Sequence, residues 1–93
     1  MKNPVILAVQ GGFYFFGDEV PPPKDGYVCL TSVAMFNGFE ASKGLPGVAR
    51  GDPQSKVTLD RFRPDDVVTY PESAVFAIMP SINLYEWKNC TCR

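Results

Sequence analysis

Pro4-Val5-Ile6-Leu7-Ala8-Val9-Gln10-Gly11-Gly12-Phe13-Tyr14-Phe15-Phe16 is the stretch that decides the fold class. Val5 to Val9 form an unbroken apolar run, too short for a self-standing helix and rich in β-branched side chains, so it reads as a strand. Gly11-Gly12 supplies the positive φ angles of a tight hairpin, and Phe13 to Phe16 form the returning strand. Successive side chains of a strand point to opposite faces, so four aromatics in a row are apolar on both sides. One side packs the core. The other is expected to need a second cover: a helix, a partner subunit or a ligand.

Outward from this hairpin the chain stays β-rich. Val20-Pro21-Pro22-Pro23-Lys24-Asp25-Gly26 lacks amide donors at its prolines and ends in a turn-forming Asp-Gly, so it is a stiff loop. Tyr27 to Phe36 follow as β structure with a bend near Thr31-Ser32, and Asn37-Gly38 reads as a hairpin turn. Between Glu40 and Lys56 glycines and prolines interrupt the pattern. Leu45, Val48 and Ala49 still sit at near-helical spacing, which predicts one short helical turn capped by Ser42 and stopped at Gly51. Val57 to Leu59, Val67 to Tyr70 and Ser73 to Met79 are further strands, with a charged turn over residues 61–66. In the last strand Val75 and Met79 are expected on one face, with Ala74, Phe76 and Ile78 on the other. Ser81 is the predicted N-cap of a short C-terminal helix carrying Ile82, Tyr85 and Trp87 toward the sheet, and residues 90–93 form a frayed tail. The expectation is one mainly β (α+β) domain over residues 1–93: a small antiparallel sheet or partly open barrel with one short C-terminal helix.

Composition narrows the function. Ninety-three residues allow a single core, and a core this small is marginal, which makes self-association attractive. A net charge of -1 lacks the positive field that grips duplex DNA. No run of eighteen apolar residues suggests a membrane span. Cys29, Cys90 and Cys92 are odd in number and no export signal precedes them, so free thiols in a reducing cytoplasm are expected, with Asn89-Cys90-Thr91 an accidental glycosylation match.

The order Gly11-Gly12-Phe13-Tyr14-Phe15-Phe16, Leu30-Thr31-Ser32-Val33-Ala34-Met35-Phe36, Lys43-Gly44-Leu45-Pro46-Gly47-Val48-Ala49-Arg50-Gly51-Asp52-Pro53 and Ala74-Val75-Phe76-Ala77-Ile78-Met79 with Trp87 resembles a family of small phage- and prophage-encoded proteins known only as a domain of unknown function. Pro46 departs from the pattern, standing where a helix former is expected. The resemblance implies a phage accessory protein and brings no catalytic residues with it.

Chemistry is constrained most by what the chain lacks. With no histidine, the commonest general base and zinc ligand are gone, as are the Ser-His and Cys-His nucleophile pairs. Asp18-Glu19 and Asp65-Asp66 are adjacent carboxylates, which point apart on a strand or into water on a turn. Cys90, Cys92 and Cys29 fall short of the four ligands of a structural zinc site. No phosphate-binding glycine loop is present. Neither a catalytic residue, a metal nor a cofactor is expected.

What remains is a set of cations among aromatics: Tyr14, Phe16, Lys43, Arg50, Arg61, Phe62 and Arg63, with Tyr27 and Tyr70 nearby in type. Guanidinium groups fork onto phosphates and aromatic faces stack on bases, so this set suits a small phosphate-containing ligand; the competing reading makes the aromatics core and the arginines solvated. Phe62 between two arginines is the sharpest point, since an aromatic there is costly in water unless it inserts somewhere. The leading expectation is a non-enzymatic phage-type counter-defence protein that sequesters a host signalling nucleotide, such as a cyclic dinucleotide, as a homo-oligomer in the host cytoplasm. The alternatives are a direct protein-protein inhibitor of a host enzyme, using a β-edge or the Phe13 to Phe16 face, and a virion or scaffold component.

Overall fold

A computed structural model describes residues 1–63 and 65–93 of the chain. Its first strand, β1 (Pro4–Val9), turns through Gln10, Gly11 (φ 93°) and Gly12 (φ 82°) into β2 (Phe13–Val20), and the two pair antiparallel from Pro4 opposite Asp18 to Val9 opposite Phe13. The glycines take the left-handed angles that the hairpin demands.

The third strand, β3 (Tyr27–Glu40), organises the rest. It pairs with β2 along one side, and its other side is divided between β4 (Lys56–Arg61) and β5 (Val67–Pro71). The division falls at the bend expected near Thr31-Ser32. Ser32 has φ 54°, and two residues, Ser32 and Val33, stand opposite the single Gly17. Such a bulge increases the local twist and redirects the strand. β6 (Val75–Pro80) pairs antiparallel with β1, and β7 (Cys90–Cys92) pairs parallel with β4. The sheet order is β6-β1-β2-β3-β4-β7 with β5 also on β3, a mixed and mostly antiparallel arrangement that confirms the β-rich class.

Alternation along β1, β2 and β3 feeds two cores. On one face Ile6, Phe16, Ala34, Val57 and Leu59 lie under Val48 and Ala49 of α1 (Gly44–Ala49) and under Leu84. On the opposite face Val5, Leu7, Val9, Phe15, Val28, Leu30 and Val33 are covered by Phe62, Val68, Tyr70 and Val75. The second cover is the sheet itself. β5 runs through a 3-10 turn at Glu72–Ala74 into β6, which joins the far edge at β1, so the sheet curls round this cluster as a partly open barrel. Among the described residues no ladder joins β5 to β6.

The hairpin therefore hides both its apolar sides within one chain. Phe15 is 6% exposed and Phe16 0%; Phe13, at 54%, is the ring left outside. The expected need for a partner molecule over this hairpin does not arise.

Several local expectations change. Asn37-Gly38 is no hairpin turn: neither residue has a positive φ, and Asn37 is the extra residue of a bulge between Phe36 opposite Leu59 and Gly38 opposite Thr58, so β3 runs on to Glu40. In β6 Phe76 is the extra residue between Ala77 opposite Ala8 and Val75 opposite Val9, which breaks the two-residue phase and sends Val75 and Met79 to different cores. The C-terminal helical segment is a single 3-10 turn, Leu84–Glu86, and its cap is Asn83, whose Oδ1 accepts the Tyr85 amide at 3.1 Å. Ser81 instead donates to the Ile82 carbonyl. Cys90–Cys92, expected as a frayed tail, form β7. Helix α1 stands where a helical turn was expected, with Lys43 rather than Ser42 at its N-cap and Gly51 (φ 69°) just past its end. Pro46 fits because it occupies the first turn, where its missing N–H would have no partner. Pro64, in the expected charged turn, lies outside the described residues. No helix among the described residues is long and apolar enough to cross a membrane.

Candidate functional site

The seven residues singled out as a ligand set do not converge. Phe16 is completely enclosed between β1 and β3, with its ring edge-on to Tyr85 at 5.0 Å, and cannot touch a ligand; its place in the set is corrected to core. Tyr14 is half-buried in an aromatic trio with Phe36 and Phe39, at 6.0 and 5.9 Å between ring centroids. Lys43 and Arg50 are exposed at opposite ends of α1. Arg61 lies over the ring of Tyr85, 4.2 Å from its centroid. Phe62 turns into the barrel core, edge-on to Phe15 at 6.2 Å, which answers the question of where an aromatic between two arginines inserts. Arg63 is exposed, 4.0 Å from Asp66. Arg61 and Phe62 thus serve the two different cores from adjacent positions.

Two hollows lie elsewhere. The larger, about 660 Å³, is a trough over the far end of β3, β4 and β7. Gly38, Glu40, Lys56, Thr58, Lys88 and Thr91 line it. Ladder pairing sets these side by side, with Gly38 opposite Thr58, Glu40 opposite Lys56 and Thr58 opposite Thr91. Gly38 has open space where a Cβ would stand, so the floor there is bare backbone. Lys56 meets Glu40 at 3.5 Å, but both side chains are mostly solvated and such a pair holds little free energy. Asn89 closes one end by donating Nδ2 to the carbonyls of Pro53 and Ser55. None of the seven expected residues lines this trough; Lys56 and Lys88 are far apart in sequence and come to line the same hollow through the β4–β7 pairing, which leaves no local signal.

The second hollow, about 340 Å³, borders the outer edge of β6 and is lined by Val28, Glu72, Val75, Phe76, Ala77 and Ile78. Here the chain leaves large apolar side chains in water: Phe76 is 74% exposed and Ile78 40%. β6 is the end strand of the sheet, and Val75-Phe76-Ala77-Ile78-Met79-Pro80 contains no charge. The Ser81 amide donates to the Pro4 carbonyl, which sets the phase of the β1–β6 ladder. Alternate residues of an antiparallel strand turn their backbone groups to opposite sides, so the amide and carbonyl of Ile78 point off the edge. Edge strands are normally blunted by charges, prolines or bulges. Pro80 and the bulge at Phe76 do part of this, while the apolar side chains between them are left uncovered.

Of the acidic pairs, Asp18-Glu19 ties down the chain before β1, with Glu19 accepting a hydrogen bond from Nδ2 of Asn3 at 3.2 Å. Asp18 accepts the backbone amides of Lys2 and Asn3, pinning the start of β1. Among the described residues no group of three or more Cys, Asp or Glu side chains is gathered to hold a metal ion. Burial pushes the Tyr85 phenol up to about 12 against the opposing pull of Arg61, and its hydroxyl donates to the carbonyl of Ser32. Burial also raises Tyr70. No protein-family model matches the chain, and no curated protein matches it.

Proposed function

We propose that the chain is a non-catalytic binding domain that takes up an extended, apolar segment of a partner protein as an added strand on β6. The observation that carries this is the uncharged end strand with Phe76 and Ile78 exposed beside an apolar hollow. A polypeptide is the occupant that fits, because the outward amide and carbonyl of Ile78 ask for a backbone donor and acceptor at strand spacing, and the hollow takes alternate side chains of the same strand. Glu72 at the rim favours a basic residue at one end of that strand. In a phage setting, which the sequence resemblance suggests, the partner is a host defence enzyme obstructed by the attachment.

Selection from a random peptide display library against the folded protein tests the reading. Enriched peptides are expected to alternate apolar residues and to bind in calorimetry, with affinity lost in Ile78→Lys and kept in Lys88→Ala. Failure to enrich, or peptides indifferent to Ile78→Lys, overturns it. So does a concentration-dependent dimer in analytical ultracentrifugation that Ile78→Lys abolishes, since the edge would then belong to a second copy.

A second reading, sequestration of a small phosphate-bearing ligand such as a cyclic dinucleotide, is favoured by the trough. Its volume lies within the range of about 300–1,000 Å³ common to small-molecule sites, and Lys56, Lys88 and the hydroxyls of Thr58 and Thr91 are donors suited to phosphate oxygens. Calorimetry with a panel of cyclic nucleotides decides it: binding weakened at least tenfold in Lys56→Ala and Lys88→Ala supports it, and no heat from any member ends it.

A further inference from the structure

Cys90 and Cys92 begin and end β7, and the two-residue repeat of a strand sends their side chains to the same side. Their Sγ atoms are 3.4 Å apart. The two sulfurs are not equivalent. Cys90 is half-buried against the core that holds Leu59 and Leu84, and burial, with the neighbouring Cys92, pushes its thiol up to about 12 despite Arg61 nearby. Cys92 is exposed, so it is the sulfur that a reagent in solution meets first. The third cysteine, Cys29, is buried on β3, where it accepts a hydrogen bond from Thr69, and takes no part.

We propose that Cys90 and Cys92 form a redox site that exchanges with small-molecule disulfides of the glutathione class, closing an intrachain disulfide across Thr91. The thiolate of Cys92 attacks one sulfur of the disulfide RSSR, breaking its S–S bond and releasing RS⁻, which leaves as RSH after taking a proton. Cys90 then gives its proton to solvent and attacks Sγ of Cys92, forming the intrachain bond and expelling the second RS⁻, again protonated to RSH. In total the protein loses two protons, one from each thiol, and two electrons, and RSSR takes up the same number to become two RSH.

Strand geometry makes this bond reversible. Two residues of extended chain span about 6.6 Å between Cα atoms, at the upper end of the roughly 4.4–6.8 Å that a disulfide bridges. Closing the ring contracts β7, and a strained, exposed disulfide is the readily reduced kind. The contraction falls on the contacts that zip the chain end to β4: the Arg93 amide to the Leu59 carbonyl at 2.8 Å, the Arg61 amide to the Arg93 carbonyl at 2.9 Å, and Arg93 Nε to Asp60 at 3.1 Å. Oxidation therefore loosens the last strand, in a region separate from the β6 edge and independent of any partner there.

The test equilibrates the full chain with reduced and oxidised glutathione at a series of ratios, quenches with acid and counts alkylatable thiols by mass spectrometry after denaturation. Of three thiols, one is expected to remain at the oxidising end, assigned to Cys29, with a protein mass lower by two hydrogens. Cys92→Ser, a change at an exposed position, is expected to fold normally and to show no such loss of two hydrogens. Hydrogen exchange at the Arg61 and Arg93 amides is expected to quicken at least tenfold on oxidation. Three thiols retained at every ratio, or a lasting glutathione adduct on Cys92 in place of the ring, overturns the site. Unchanged exchange at both amides overturns its coupling to β7.

Discussion

At Gly17 the backbones of β2 and β3 come closer than a side chain permits. A Cβ there would stand 2.9 Å from the Thr31 carbonyl oxygen and 3.2 Å from Cβ of Leu30, because Gly17 faces the bulge at Ser32-Val33. Gly17→Ala is expected to cost about 1–3 kcal/mol in urea unfolding, the usual range for overpacking into a rigid wall. An unchanged midpoint would mean that the bulge can shift. The same bulge is tied from the other side by the Tyr85 hydroxyl on the Ser32 carbonyl. A phenol whose folded-state pKa stands above its ordinary value of 10.0 supports folding in full below pH 10 and loses that support as pH rises toward about 12. Cys90 acts in the same direction from 9.0 upward. Unfolding midpoints followed with reductant from pH about 9 to about 12 should therefore fall, and should fall less steeply in Tyr85→Phe; parallel curves for the two proteins would contradict the assignment. Residue by residue, sequence reasoning saw that Phe62 must insert and that the chain must bend at Thr31-Ser32. It held a ligand and the core as competing places for that ring, and the choice of the core depends on a long-range contact, the Val33 carbonyl accepting the Phe62 amide across the sheet.

Elements were legible wherever the signal was local. Val5 to Val9, Gly11-Gly12 and the aromatic strand after them read directly as a hairpin, since apolar runs and glycine turns act over a few residues. Bulges defeated the same reasoning. Asn37-Gly38 has the composition of a turn and Phe76 hides a phase change, and in both cases the opposite strand decides whether an extra residue turns the chain or is absorbed. The candidate sites suffered more, because the trough and the β6 edge are made by pairings between distant segments. The C-terminal turn shows the difference at the level of a single cap. Ser81 has the sequence signature, yet Asn83 makes the capping bond to Tyr85. Asn83→Ala should lower stability by about 0.5–2 kcal/mol and Ser81→Ala by much less, both read from thermal or urea unfolding. A larger loss at Ser81 would restore the sequence-based boundary.

On the scale of the whole molecule, one sheet holds two cores, and that arrangement replaces the partner that the hairpin composition called for. Ile6 and Leu7, Phe15 and Phe16, Val33 and Ala34 are neighbours in sequence that serve opposite faces. A strand cannot leave one face without leaving the other, so damage to either core should unfold both together. Leu30 and Leu84, each 0% exposed, sit in the barrel core and in the helix-covered core respectively. Truncation of a buried leucine to alanine removes its transfer free energy and leaves a cavity, about 2–5 kcal/mol in all. Trp87 is the chain's single tryptophan and packs against the helix-covered core, so its fluorescence reports that face, while far-ultraviolet circular dichroism reports the sheet as a whole. Leu30→Ala, on the face that Trp87 does not touch, is expected to shift the fluorescence and dichroism transitions by the same amount and to keep them superimposed, as Leu84→Ala does. Dichroism lost ahead of fluorescence in Leu30→Ala would mean that the barrel opens while the helix-covered face stays folded, and the shared strands would then not couple the two cores.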